Sequence, residues 1–123
     1  AYGMPKGTEA QQQARHAAIQ DATKNAIEIP MRVARLAADA MTIAEEMAAT
    51  GNPNSITDAG VGAMTIRTGV KGAILNARVN LQDLEDATYS AAVVAEADAL
   101  WADIDAREAR VLERVAAVLG GAA

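Results

Sequence analysis

The sequence predicts an all-α protein, an antiparallel bundle of long helices of which one is kinked at a proline. Apolar residues recur every three to four positions along most of the chain, which is the spacing of a helix face. No stretch alternates as a strand does. Alanine makes up about a quarter of the 123 residues and phenylalanine is absent. Alanine favours helix but buries little area, so such helices gain most from close contact with each other and with a second subunit. We therefore expect one helical domain, 1–123, that forms a homodimer.

The first helix is predicted over 8–50. Thr8 and Gln11 have the spacing of a capping box, in which cap and third helical residue satisfy each other's backbone donors. Pro30 lacks a backbone donor and its ring clashes with the carbonyl four residues earlier. The sequence therefore predicts either one long helix kinked near Pro30 or two nearly contiguous helices. The stripe expected to face the core is Val33, Leu36/Ala37, Ala40, Ile43/Ala44 and Met47.

The central stretch, Gly51 to Leu81, organises the rest of the chain. It opens with a Gly-Asn-Pro-Asn turn and continues as a helix predicted over 56–80. Small or polar residues recur on one face of this helix: Asp58, Gly62, Thr65, Gly69, Ala73, Asn76 and Asn80. Each glycine in a helix interior costs about 1 kcal/mol relative to alanine. The pattern predicts that another backbone or a flat ligand comes very close to this face.

The last helix is predicted over 86–119, after a connection at 81–86 that offers Asp83 and Asp86 as caps. Its apolar stripe is close to a heptad pattern over four repeats: Tyr89, Val93, Ala97, Leu100, Ile104, Val111, Val115 and Val118. The predicted helices have similar lengths, as antiparallel neighbours in a bundle should.

Composition argues against several classes of protein. The net charge of −5 makes a nucleic-acid backbone an unfavourable partner. No apolar run reaches the roughly 20 residues of a membrane span, so no membrane partner is expected. There is no cysteine, which fits a cytoplasmic protein, and no metal-ligand spacing, so we expect no metal.

Three polar residues of the central helix are candidates for chemistry. Asp58 could be a catalytic carboxylate, or simply a first-turn acid that interacts with the helix dipole. Asn76 and Asn80 lie one turn apart and could line a site or bond across a helix crossing. Asp58 and Asn76 are separated by about 27 Å along one helix. They could share a site only if two copies of the helix cross antiparallel in a two-fold dimer.

Four basic residues also need an explanation. Arg67, Lys71 and Arg78 form a stripe roughly opposite Asp58, which could hold an anionic tail, remain solvated, or pair with acids of the last helix. Lys6 stands in the opening loop, where an isolated lysine normally faces solvent. Spacing alone assigns no function to any of the four.

Four motifs carry a resemblance to a known family: MPKGT at 4–8, IEIPMRVA at 27–34, GNPNSITDAGVGA at 51–63 and GAILNARVNL at 72–81. With them the chain resembles the cyclodeaminase/cyclohydrolase family, which comprises bacterial methenyltetrahydrofolate cyclohydrolases and the cyclodeaminase domain of formiminotransferase-cyclodeaminase. The resemblance covers essentially the whole chain. It implies an all-helical, dimeric enzyme of one-carbon metabolism with a tetrahydrofolate derivative as substrate. Domains of this family have about 200 residues, within the usual size of a domain, so we expect this chain to correspond to their C-terminal part.

The resemblance also assigns roles to individual residues. Lys6 matches the family's Pro-Lys, Asn52 its Gly-Asn, Asp58 its Ser/Thr-Asp, and Asn76 and Asn80 its Asn-x-x-x-Asn. It implies a catalytic Asp58 and substrate contacts from the other four. The implied reaction is hydrolysis of 5,10-methenyltetrahydrofolate to 10-formyltetrahydrofolate, or alternatively the cyclodeamination of formiminotetrahydrofolate. A catalytically silent helical dimerisation module and a non-catalytic folate-binding protein remain as alternatives of another class.

Overall fold

Three long helices and two short connections make up residues 1–120, the part of the chain that the computed structural model describes. The helices are α1 (Glu9–Thr50), α2 (Ile56–Leu81) and α3 (Ala87–Val118), with a 3₁₀ turn, Pro53–Ser55, before α2. No strand occurs in the described residues, so the predicted all-α class is confirmed. None of the helices in this part of the chain is both long and apolar enough to span a bilayer.

Side-chain caps define the first residues of α1 and α3. The Thr8 hydroxyl accepts from the Gln11 backbone N–H at 3.1 Å, and the Gln11 side chain accepts from the Thr8 N–H at 3.0 Å. Asp86 accepts from the Tyr89 N–H at 3.0 Å. The predicted capping box and the Asp86 cap are confirmed, and each satisfies backbone donors that a helix leaves free at its first turn.

Pro30 does not divide the first helix. α1 runs unbroken through it for 42 residues, so the two-helix alternative is wrong. Pro30 lies instead on the side of α1 that faces α2, beside Gly69 and Gly72.

The core lies where the three helices meet, and α1 and α2 contribute seven residues each to it and α3 five. Its members are small or aliphatic, and no polar or charged side chain of the described residues is buried. The largest fully buried side chains are Ile27, Met31 and Met41 of α1, Val70 and Ile74 of α2, and Ile104 of α3. The alanines between them let the helices approach closely.

Ion pairs connect α2 to α3. Asp105 lies 2.6 Å from both Arg67 and Lys71, and Arg78 lies 2.6 Å from Asp98. Lys71 also stands over the Trp101 ring, 4.4 Å from its centroid. Of the three readings of this basic stripe, pairing with acids of the last helix is therefore confirmed.

A second set of polar contacts connects α1 to α3. Arg35 donates two hydrogen bonds to Glu96, at 2.8 and 2.6 Å, and one to Glu28 at 2.8 Å. The Tyr89 hydroxyl donates to Glu28 at 2.7 Å. Burial, and then this bond to Glu28, raises the pKa of Tyr89 to about 12. Hydrogen bonds from Arg35 and Tyr89 lower the pKa of Glu28. This cluster stabilises the packing of α1 against α3, and none of its residues lines the groove between α1 and α2.

The stripe of α1 predicted to face the core is wrong for its large residues. Val33, Leu36, Ile43 and Met47 are 49 to 69% exposed. The buried stripe lies about a quarter turn away and consists of Ile27, Met31, Ala34, Ala38, Met41, Ala44 and Ala48. Both stripes have helical spacing, so periodicity could not choose between them.

Candidate functional site

A groove runs between α1 and α2, and no residue of α3 lines it. We call it the α1–α2 groove. It contains two hollows. The Asp58 hollow, about 470 Å³, is lined by Ala40, Ile43, Ala44, Met47, Ser55, Asp58, Ala59, Gly62 and Ile66. The asparagine hollow, about 650 Å³, is lined by Ala26, Ile29, Pro30, Val33, Thr68, Gly69, Gly72, Ala73, Asn76, Val79 and Asn80.

Asp58 supplies the only charged group of the first hollow. It lies in the first turn of α2, where the free N–H groups and the helix dipole favour a negative charge. Its neighbours in the hollow are mainly apolar, Ile43 and Met47 among them, and Gly62 leaves open space beside it. No ion pair to this carboxylate occurs within residues 1–120. It can therefore accept a proton from a bound molecule or stand beside a positive charge.

Two carboxamides define the second hollow. The Asn80 amide donates to the Asn76 backbone carbonyl at 3.1 Å, while the Asn76 side chain remains exposed in the hollow. Gly69 and Gly72 present backbone rather than side chain, and a Cβ added at Gly72 would meet nothing within 4 Å. A planar molecule could lie against these glycines and exchange hydrogen bonds with the carboxamide.

The structure places Asn52 and Lys6 outside both hollows. The Asn52 side chain accepts from the Asn54 N–H at 3.0 Å and so shapes the turn before α2. Lys6 lies at the far end of α1, near Gln12 and His16. With a rise of 1.5 Å per residue, α1 puts about 57 Å between its first residue and Met47 beside Asp58. One chain therefore does not bring Lys6 to Asp58.

Asp58 and the asparagines share the groove but not a hollow. They lie on one face of one straight helix, about 27 Å apart for Asp58 and Asn76. No hydrogen bond spans this distance, so a single chain presents a carboxylate at one end of the groove and carboxamides at the other.

The sequence reasoning missed the apolar rims of the groove. Five large apolar side chains that line the groove are 49 to 64% exposed: Ile29, Val33, Ile43, Met47 and Val79. Four more on the same two helices, Leu36, Val61, Met64 and Leu75, are 44 to 69% exposed. We call these nine side chains the apolar rims of the groove. A signal was present in the charges of α2. Three of its four charged residues pair with α3, so the arc away from α3 carries only Asp58. A solvent-facing helix surface is normally richer in charge.

No group of three or more acidic or histidine side chains within residues 1–120 has the arrangement of a metal site. The chemistry available in the groove is that of one carboxylate, two carboxamides, the hydroxyl groups of Ser55 and Thr68, and backbone.

Comparison with known proteins identifies relatives of this chain. The sequence profile described as formiminotransferase-cyclodeaminase matches residues 1–99. The methenyltetrahydrofolate cyclohydrolase of Methylorubrum extorquens is 36% identical over 115 residues, which cover 94% of this chain and 55% of that protein. The formimidoyltransferase-cyclodeaminase of Sus scrofa is 32% identical over 117 residues, 95% of this chain and 22% of that protein. The formimidoyltransferase-cyclodeaminase of Dictyostelium discoideum is 33% identical over 113 residues, which cover 92% of this chain and 20% of that protein. The chain thus spans about half the length of the cyclohydrolase and about a fifth of the other two proteins.

Proposed function

Because the chain belongs to the formiminotransferase-cyclodeaminase family, we propose that it hydrolyses 5,10-methenyltetrahydrofolate to 10-formyltetrahydrofolate. The observation that carries this proposal is the Asp58 carboxylate, which makes no ion pair within residues 1–120 and lies in a mainly apolar hollow of the α1–α2 groove. The cyclohydrolase relative, which matches 94% of the chain, supports the reaction. The folate is the substrate, and the proposed mechanism invokes no metal.

In the proposed reaction, water attacks the cationic carbon that bridges N5 and N10. A new carbon–oxygen bond forms, the carbon–N5 bond breaks, and the formyl group stays on N10; N5 takes up one of the two protons of the water and the other is released. Asp58 would offset the positive charge of the substrate and accept the proton of the attacking water. Asp58 is exposed in the single chain, so its interaction with the cation would become strong once the bound folate or a second subunit displaces water from the hollow.

Asn76 and Asn80 would hold the substrate by its polar edges, since a carboxamide offers both donors and an acceptor. Asn52 would act through the turn that precedes Asp58. Lys6 is proposed to contact the folate only in an assembly, because its own chain holds it far from Asp58.

We also propose that the chain forms a homodimer through the α1–α2 face, with α2 crossing its own copy antiparallel. Nine large apolar side chains of α1 and α2 are at least 44% exposed, and exposed apolar patches on a soluble protein often mark an interaction surface. A two-fold axis near position 69 of α2 sets Asp58 opposite the partner subunit's Asn80, and Gly62 opposite the partner's Asn76. This pairing would unite the carboxylate and the carboxamides in one site.

Mixing two inactive variants tests the shared site. Asp58→Asn and Asn76→Ala/Asn80→Ala chains, unfolded and refolded together, should regain about a quarter of the unmutated activity. Half of the refolded dimers are mixed, and each mixed dimer contains one intact site. If each site belonged to a single chain, every site in the mixture would carry a defect and no activity would return.

Asp58→Asn tests the proposed function itself. Loss of a general base costs about 10²- to 10⁴-fold in rate, so decay of the methenyl absorbance should slow by that factor while the helical content is unchanged. Asp21→Asn is the matched control: it removes the same charge from an exposed position of α1 and should keep full activity. Unchanged turnover in Asp58→Asn would contradict the role given to this carboxylate.

Cyclodeamination is the second candidate, favoured by the name of the matching family and of two relatives. In that reaction N10 attacks a formimino carbon and ammonia leaves, with Asp58 moving the proton. Release of ammonia from 5-formiminotetrahydrofolate would identify it. Binding of folate without turnover in either assay would indicate a non-catalytic binding protein, and a dimer that binds no folate would indicate a helical dimerisation module.

We propose a cytoplasmic location, in keeping with the absence of cysteine, and no nucleic-acid or membrane partner, in keeping with a net charge of −5.

A further inference from the structure

Pro30 leaves one backbone carbonyl of α1 without its helical partner. In an α-helix the N–H of each residue donates to the carbonyl four residues earlier. Pro30 has no N–H, and it lies in the interior of a helix of 42 residues. The carbonyl oxygen of Ala26 therefore lacks the donor that every other interior position would supply.

The two residues concerned are on the side of α1 that faces the groove. Ala26 and Pro30, the two residues between which the missing bond would run, both line the asparagine hollow. Ala26 is exposed and Pro30 is half-buried. Within the same hollow, the Asn76 carboxamide is also exposed. The residues that line the hollow thus include Ala26, whose carbonyl has lost its helical donor, and Asn76, whose side chain has two donors and one acceptor.

The walls of the hollow suit a flat ring. Gly69 and Gly72 contribute backbone on the α2 side, while Ile29 and Val33 contribute apolar surface on the α1 side. A planar heterocycle inserted here would contact apolar walls on its faces, and its edge would reach the polar atoms.

We propose that the Ala26 carbonyl is a substrate-binding group, and that it accepts a hydrogen bond from the exocyclic amino group of the bound pterin ring. This inference rests on the proposed function, which supplies the ring. A pterin carries an amino group and a ring N–H side by side, next to a carbonyl. The fixed Ala26 acceptor would bind the amino group and the Asn76 carboxamide would bind the neighbouring atoms of the same edge. Pro30 acts as a positioning residue, because it keeps the helix from using the acceptor itself.

Pro30→Ala tests the inference because it should stabilise the fold while weakening folate binding, whereas a variant that merely damages the fold would lower both. Alanine restores the N–H, so the helix closes its own bond to Ala26 and the melting temperature should rise. The same change should weaken binding of folic acid, followed by fluorescence quenching, by about tenfold, the loss expected for one hydrogen bond. Pro30→Gly also restores the N–H but gains less helix stability. If folic acid binding is weakened equally in Pro30→Ala and Pro30→Gly, the loss of affinity follows from the Ala26 carbonyl rather than from a change in the stiffness of α1.

A ligand analogue isolates the bond. A folic acid analogue with a methyl group in place of the 2-amino group keeps the size of the ring but loses the donor. The unmutated chain should bind folic acid about tenfold more tightly than this analogue, and Pro30→Ala should bind the two nearly equally. If Pro30→Ala bound folic acid as tightly as the unmutated chain does, the inference would be overturned while the proposed function stood. If the unmutated chain bound no folate, both would fall.

Discussion

Two glycines of α2, only two residues apart, allow the packing of this helix to be tested with a matched pair of variants. Gly60 faces α3, and a Cβ built on it would lie 3.1 Å from Val115 Cγ2 and 3.6 Å from Leu112 Cδ2. Gly62 faces the α1–α2 groove, and a Cβ there would meet nothing within 4 Å. Gly60→Ala and Gly62→Ala add the same methyl group to the same helix and differ only in what it touches.

The magnitudes follow from two opposing effects. Replacing a helical glycine by alanine stabilises the helix by about 1 kcal/mol. Gly62→Ala should gain this in full at a protein concentration low enough to keep the chain monomeric. Gly60→Ala gains it too, but a contact of 3.1 Å is tighter than a normal carbon–carbon contact, and Val115 is stiff and only 6% exposed. Overpacking of a core costs about 1 to 3 kcal/mol, so Gly60→Ala should range from neutral to about 2 kcal/mol destabilised.

Thermal unfolding followed by circular dichroism measures the difference. For a chain of this size, 1 kcal/mol corresponds to about 4 °C in melting temperature, so the two variants should differ by about 4 to 12 °C. Val115→Ala made in the Gly60→Ala background should reduce the overpacking and show a favourable coupling energy. If Gly60→Ala were as stabilising as Gly62→Ala, the contact between α2 and α3 would not be as the structure describes it.

Two further predictions concern stability. The pKa values of four carboxylates are lowered in the folded protein. Their contribution to stability is therefore present above their unfolded pKa values of about 4 and is lost as the pH falls through the folded values. The melting temperature should drop as the pH is lowered below about 5, and a melting temperature that does not change with pH would contradict the ion pairs. These carboxylates are Glu28, Asp86, Glu96 and Asp105. Ile74→Ala, at a fully buried position, should cost about 2 to 5 kcal/mol in chemical denaturation. The adjacent Leu75→Ala, 55% exposed, should change the folding of the single chain little and should weaken self-association, as measured by sedimentation.

The sequence was sufficient for the helices but not for their faces. Thr8 and Asp86 marked helix starts because capping is a local interaction that four residues specify. The pairing of Arg67 and Lys71 with Asp105 followed from charge, since the acids of α3 were the available partners. The core stripe of α1 could not be found in this way. Val33 and Met31 are equally plausible core residues by periodicity, and only the position of α2 decides that Met31 is buried.

The roles of the candidate site residues stay predictions, and the sequence did not predict the shape of the groove that three of them line. Motifs identified Asp58, Asn76 and Asn80, and the spacing along the helix predicted that one chain could not bring them together. What the sequence did not reveal is that Pro30 and the asparagines line the same hollow. That juxtaposition depends on the register between α1 and α2, which is set by packing over the whole interface rather than by any local signal.

The distribution of side-chain size between the inside and the outside of α1 yields a last prediction. Four of its seven buried residues are alanines, whereas its exposed stripe consists of Ile29, Val33, Leu36, Ile43 and Met47. Burial of apolar area contributes about 25 cal/mol per Å². Most of the hydrophobic free energy that α1 could contribute is therefore gained only when another surface covers that stripe. If the cover is a second copy, stability must depend on concentration. A 100-fold increase in protein concentration adds RT ln 100 to the free energy of unfolding, about 2.7 kcal/mol per dimer or about 1.4 kcal/mol per chain. This raises the melting temperature by about 5 °C. Leu36→Lys, which places a charge within the stripe, should remove this dependence, whereas Arg32→Lys beside it should preserve it. A melting temperature that does not change with concentration would mean that the apolar rims of the groove are not joined to those of another copy of this chain.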